Sequence, residues 1–242
     1  SLVRTIAILI SIGVLVKMAT FPLHTWLPDA HSNAPMPVTV MLVSVMINTG
    51  VYGLLRLFFT LFPFLVLKSL SFPFAILAVL SQFYGGIMAL GQQDIKRYIA
   101  YSSISQMGYI LFGISSLNPV GIAGSFLHMI GHGFVKSLLF MGVGSVAHGA
   151  KSRIVKNLGG LANFMPFTAL LSVLGALALA AAPPFSTFWS EVMIFIGGFK
   201  SDINFFLSVF AILTTALTAG YILWYILIVF YGEKKLFLSS VK

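Results

Sequence analysis

The sequence predicts an all-α polytopic membrane protein, and three features carry that expectation. Hydrophobic residues make up 59% of the 242 positions and charged residues only 8%, against about 25% charged in a soluble domain. The apolar runs are long and continuous, as spanning helices require, and do not alternate every second residue as barrel strands do. The charges gather in short stretches between those runs, so the net charge of +9 reflects membrane topology and no nucleic-acid partner is expected.

About seven spans follow in order: 3–21, 36–60, 70–91, 99–117, 120–147, 163–199 and 203–231. Each is near or above the ~20 residues that cross the hydrocarbon core. The first opens almost at once, at Leu2, with no secretory cleavage signal before it. It carries Lys17 near its end, four residues before Phe21-Pro22, where a snorkelling lysine is the plain alternative. Between the first two spans, Pro22, Pro28, Pro35 and Pro37 forbid a continuous helix. Trp26, His24 and His31 suit an interface, and the density of proline and aromatic residues predicts a tightly folded segment packed on protein. The fourth span holds Ser102, Ser103, Ser105 and Tyr109, which can bind bridging water. The sixth is broken at Pro183-Pro184, and the double proline ends helical pairing near mid-span.

Counting sides by alternation, Arg4, Arg56, Lys68 and Lys200 share the side of Ser1. Lys96, Arg97, Lys151, Arg153, Lys156, Lys234, Lys235 and Lys242 share the other. Positive charge prefers the cytoplasm, so the C-terminus is predicted to be cytoplasmic. The absence of cysteine excludes disulfides, thiolate metal sites and iron–sulfur ligation.

Glu191 is the one acidic residue deep in an apolar stretch, seven residues past Pro184. An ionisable group at membrane depth is costly and marks function. Lys136 and Lys17 are the candidates of opposite sign. His128, His132 and Lys136 follow at i, i+4, i+8, which places them on one helical face among small residues Gly124, Ser125, Gly131 and Gly133. A single helical histidine is usually a satisfied core residue; two histidines and a lysine on one mid-span face point to proton movement. Desolvation and neighbouring charge bring such groups toward neutrality, where they exchange protons readily. No metal site is expected, because no acidic third ligand lies near the histidine pair and a lysine beside it disfavours a divalent cation.

Several stretches taken together resemble a known family. They are Val16-Lys17-Met18, Pro22-Leu23-His24-Thr25-Trp26-Leu27-Pro28-Asp29-Ala30-His31, Ala34-Pro35 and Gly50-Val51-Tyr52-Gly53-Leu54-Leu55-Arg56. Asp94-Ile95-Lys96-Arg97 through Tyr109, the helix with His128, His132, Lys136, Leu139 and Phe140, and Pro183-Pro184-Phe185 with Glu191 follow in the same order. The pattern is similar to the antiporter-like subunits of respiratory complex I, membrane-bound hydrogenases and multisubunit cation/proton antiporters. The resemblance implies an inverted-repeat bundle with one discontinuous helix in each five-helix repeat. Residues 1–60 would be the last two helices of the first repeat and residues 61–242 the second repeat. It implies that Lys17 and Lys136 are the central lysines of two half-channels and that Glu191 is the terminal proton-transfer residue. His128 and His132 would lie on the hydrated axis, with His148 near the cytoplasmic end.

The chain departs from the family pattern in three places. The glutamate that pairs with the Lys17 position belongs on an earlier helix, so another subunit or a preceding segment would supply it, or the first half-channel is inactive. Asn48 stands where a bridging lysine often occurs, and asparagine holds water but carries no charge. The last helix of the family, after 203–231, has no counterpart. A glutamate at 191 leans toward the complex I and hydrogenase-related subunits.

The leading expectation is therefore a proton-translocating membrane subunit of a redox-driven complex. It would be embedded in a bacterial, archaeal or organellar energy-transducing membrane beside other membrane subunits. The redox chemistry would sit elsewhere, since no cofactor-binding or nucleotide-binding signature occurs here. A Na⁺/H⁺ antiporter subunit and a non-conducting structural paralogue are the alternatives.

Overall fold

The computed structural model describes residues 2–203 and 205–233. Lys234, Lys235 and Lys242, which enter the orientation argument, and the C-terminus itself lie outside the described residues. Nine helices account for most of the described chain. They are α1 (Leu2–Lys17), α2 (Trp26–Asn33), α3 (Met36–Leu61), α4 (Phe64–Leu90), α5 (Ile95–Ser115), α6 (Pro119–Gly149), α7 (Pro166–Leu179), α8 (Ser186–Phe199) and α9 (Phe205–Tyr231). Helix α3 contains one π-turn, Leu42–Met46, and α9 ends in another. Among the described residues the one extended contact is an antiparallel bridge between Asp94 and Ile154.

Four of these helices, α3, α4, α6 and α9, are long and apolar enough to cross a membrane unaided. The expected seven spans are met by those four alone, and the other three segments differ for separate reasons. Helix α1 has 16 residues, and the sixth segment is two helices of 14 residues each. Helix α5 is 21 residues long, about 31 Å at 1.5 Å per residue, but it is rich in serine, glutamine and tyrosine. Every residue of α5 except Arg97 is buried. A helix enclosed by α2, α4, α6 and α8 faces protein on all sides, so its sequence need not be lipophilic. Its fit to α4 is close: a Cβ on Gly108 would lie 2.6 Å from the Ala78 carbonyl oxygen and 2.8 Å from the Gln82 nitrogen. Only a residue without a side chain lets these backbones touch.

Between residues 22 and 35 the prolines leave room for one short helix, α2. Pro28 falls in the first turn of α2, where no intrahelical N–H is needed, and Pro37 falls likewise in the first turn of α3. Its histidines face the protein interior. His24 and His31 are buried, while Trp26 is half-buried and donates from Nε1 to the Val16 carbonyl at 2.9 Å. The expectation of a compact segment packed on protein holds.

The two breaks are built alike. Helix α1 stops with Ala19 N donating to Val16 O at 3.0 Å and Thr20 N to Leu15 O at 3.2 Å. Helix α7 stops with Ala181 N donating to Ala178 O at 3.1 Å and Ala182 N to Leu177 O at 3.0 Å. Both are Schellman ends, with an alanine at φ 53° and 51° where glycine is usual. Each alanine stands three residues before the proline of a cis peptide, Phe21-Pro22 and Pro183-Pro184. Each break is also tied across. Phe21 N donates to Ser81 Oγ of α4 at 2.9 Å, and Thr187 Oγ1 of α8 donates to Ala178 O of α7.

The polar end of the bundle holds α2 in place through cations. Helix α5 starts on Asp94, whose Oδ1 accepts from Lys96 N at 2.7 Å and Arg97 N at 3.4 Å, an N-cap. Lys96 is buried and donates from Nζ to Ala34 O at 2.5 Å. Arg97 pairs with Asp29 at 2.7 Å, and Arg153 donates to Ser32 O at 2.9 Å. Three positive side chains thus meet α2 and its C-terminal carbonyls, the end a helix dipole makes negative.

Candidate proton-conducting site

Helix α6 runs beneath α5 with its ionisable face inward. His128, His132 and Lys136 are all fully buried, as the i, i+4, i+8 spacing requires. Lys136 donates from Nζ to Ile99 O at 3.2 Å and to Ser102 Oγ, both on α5. His128 touches Gln106 Oε1 through Nε2 and Ser190 Oγ through Nδ1, each at 2.8 Å. His132 has neither ring nitrogen hydrogen-bonded and lies within electrostatic reach of Lys136, His128 and His31.

His31 is the member that sequence reasoning missed. It is fully buried, both ring nitrogens lack partners, and its ring meets Phe140 edge-on with centroids 5.4 Å apart. It lies within electrostatic reach of Lys136 and Lys96. The row therefore reads Lys96, His31, Lys136, His132, His128, from the cation-rich end of α5 toward the break between α7 and α8. The prolines ruled out one continuous helix there and so left His31 without a helical spacing to join. A usable signal was present: His31 follows Pro22 by nine residues, much as Glu191 follows Pro184 by seven.

Glu191 is buried on α8, with Oε1 unpartnered. It lines a cleft of about 280 Å³ with Ala181, Phe188, Phe195, Thr215 and Ala219. Among the described residues it is in no ion pair: the pairs are Lys68–Asp202, Arg97–Asp29 and Arg153–Asp94. The expected opposition of Glu191 to a lysine is thus not a direct contact. Polar side chains of α5 and α9 fill the region beside Glu191, and Tyr109 and Tyr221 are within its electrostatic reach.

The remaining sequence-derived residues are not brought into this row. Lys17 ends α1 and is exposed, on a face that also exposes Leu2 and Ile6. The expected buried central lysine is therefore buried only by whatever covers that apolar face. Asn48 is half-buried on α3 and donates to Ser44 O at 2.9 Å and Met129 O at 3.2 Å. It reaches the backbone of α6 on the flank of the row, lining a cavity of about 530 Å³ with Ser44, Gly133 and Ser137. His148 is exposed in the last turn of α6, outside the buried row.

The chain is 40% identical over 239 residues to NAD(P)H-quinone oxidoreductase chain 4 2 of Microcystis aeruginosa, covering 96% of this chain and 42% of the relative. It is 38% identical over 218 residues to NADH-quinone oxidoreductase subunit M of Rhodobacter capsulatus, covering 90% and 42%. A chain of the archaeal membrane-bound sulfane sulfur reductase superposes with TM-score 0.79 at 29% identity, over 92% of this chain and 46% of that one. A chain of the Mrp complex from Dietzia superposes with TM-score 0.87 at 24% identity, over 93% and 42%, a likeness of fold. The chain thus spans under half the length of these proteins. Residues 1–218 match the transmembrane family described as NADH:quinone oxidoreductase/Mrp antiporter, and the chain belongs to that family of membrane proteins.

Proposed function

We propose that this chain is part of a proton-translocating membrane subunit of a redox-driven complex. The observation that carries the reading is the buried row His31, Lys136, His132 and His128, which leads toward Glu191 beyond a broken helix. Titratable groups without ion-pair partners at membrane depth are expensive. Two histidines whose ring nitrogens lack partners, and a carboxylate with one buried oxygen in the same condition, call for water and for exchangeable protons. Lys136 is the central proton-holding group, the histidines extend its reach in both directions, and Glu191 hands protons to the cleft between α8 and α9. The likeness of the two breaks supports a repeat boundary near residue 60, with α4 to α9 as the second repeat and α7 with α8 as one interrupted span. That count gives seven crossings. The relatives' description as quinone oxidoreductase subunits favours electron transfer in a neighbouring subunit as the drive, and other membrane subunits as partners.

The test is proton uptake by proteoliposomes holding the parent complex. Glu191→Gln and Lys136→Ala should each abolish uptake per turnover with the complex assembled; undiminished uptake in both would overturn the reading. A proton flux that needs Na⁺ and no redox substrate would assign the chain to the antiporter alternative.

A further inference from the structure

The row on α6 stops at His128, and Glu191 is on a different helix. Ser190 touches His128 and precedes Glu191 in the chain, which makes it the obvious bridge. Helix geometry argues against it. Adjacent residues on a helix point about 100° apart, and Ser190 Oγ also lies 2.8 Å from Thr187 O, a carbonyl that its single proton can satisfy. A different set of side chains faces both groups.

Tyr109 of α5 is fully buried. Its ring lies 6.0 Å from the His128 ring and 6.2 Å from Phe195, one turn beyond Glu191 on α8. Its hydroxyl lies 3.0 Å from Thr214 Oγ1 and 3.1 Å from Thr218 Oγ1, both on α9. Thr214 Oγ1 has one proton and three acceptors in range: Tyr109 oxygen, Gln82 Oε1 at 2.7 Å and Ala211 O at 2.6 Å. The group therefore has interchangeable hydrogen-bond patterns. The Tyr221 hydroxyl faces Ser105, Gln106 and Thr218 yet completes no hydrogen bond. Ser105 Oγ, Gln106 Nε2 and Glu191 Oε1 are likewise buried and unpartnered. A buried water typically makes about three hydrogen bonds to such groups, and this concentration of unmatched donors and acceptors suits a short water chain.

We infer that Tyr109 and Thr218 form a hydroxyl relay that carries protons between His128 and Glu191. The inference rests on the proposed proton-translocating function. In the transfer step, Thr218 Oγ1 accepts a proton from the side of Tyr221 and passes its own to the Tyr109 oxygen, whose proton passes toward Glu191. One proton enters, one leaves, no electrons are exchanged, and rotation of the hydroxyl restores the starting pattern.

The experiment uses the parent complex in proteoliposomes. Tyr109→Phe keeps the ring and removes the oxygen; it should slow coupled turnover about tenfold or more, as loss of a positioned proton-transfer group does. The solvent deuterium isotope effect on turnover should rise, which a loss of assembled complex alone would not cause. Thr218→Val should act in the same direction, and Thr218→Ser should restore near-native uptake. Native uptake in Tyr109→Phe, with Lys136→Ala and Glu191→Gln inactive, overturns the relay and leaves the proposed function standing. Native uptake in all of them overturns both. Should Tyr109→Phe fail to assemble, the Thr218→Val and Thr218→Ser pair decides: equal uptake in the two overturns the relay.

Discussion

Gly124→Ala tests how far the row depends on the separation of α6 and α8. Gly124 lies one turn before His128, where the two helices meet. A Cβ there would stand 2.8 Å from Ile194 N, 2.8 Å from Met193 Cβ and 2.9 Å from Ser190 O. Two of these neighbours are backbone atoms, which cannot rotate away. Ordinary contact begins at 3.4 Å, so the helices must part locally by about 0.6 Å. Overpacking of this kind costs about 1–3 kcal/mol. Ser190 Oγ, on the same face of α8, would then move from 2.8 Å to about 3.4 Å from His128 Nδ1, outside the usual hydrogen-bond range.

The variant should assemble with a lower melting temperature and translocate fewer protons per turnover. Gly124→Ala is informative because it alters no titratable group. The assay pairs thermal melting of the parent complex with proton uptake in proteoliposomes. Native uptake together with native melting would refute the argument, for it would mean that α8 can withdraw from α6 without cost and without disturbing His128.

Three further outcomes follow from local geometry. Ser102→Ala removes one of the two acceptors of Lys136 and should slow coupled proton uptake, while Ser102→Thr, which keeps the hydroxyl, should remain near native. Asp94→Ala deletes the N-cap of α5 and the Arg153 contact at 3.4 Å; it should lower stability by about 0.5–2 kcal/mol, read as a fall in melting temperature. Lys68, by hydrogen bond and charge, holds the exposed Asp202 carboxyl below the usual carboxylate range. Its contribution is therefore present at neutral pH and is lost as the pH falls through that lowered range. Solvent screens so exposed a pair, and melting of Lys68→Gln should follow the native curve across acidic and neutral pH.

How much of this could be read from sequence depended on how unusual each residue was in its setting. Charge is rare in apolar helices, so Lys136 and Glu191 stood out, and the fourfold spacing carried His128 and His132 with them. Their burial and shared face follow directly. The same rule says less about Lys17, which is exposed in this chain, because an apolar stretch marks membrane depth and does not tell which face of the helix is covered. Hydropathy alone also falls short where tertiary enclosure replaces lipid. Helix α5 can be polar along its length because α2, α4, α6 and α8 surround it, and a hydropathy criterion has no access to those neighbours.

The uncharged residues around the row were the least legible, and the reason is chemical. Serine, threonine and glutamine occur throughout membrane helices as packing groups that bond back to their own backbone, as Ser137 does to Gly133 and Thr215 to Ile212. Gln106, Thr214 and Thr218 are the same kinds of residue, but each also meets a side chain on another helix. Only the side-by-side placement of α5, α6 and α9 turns them toward His128 and Tyr109. Charged residues fix where a proton can rest, and these neutral ones fix the directions in which it can leave. A sequence exposes the first set through its cost; the second becomes visible once the helices are packed.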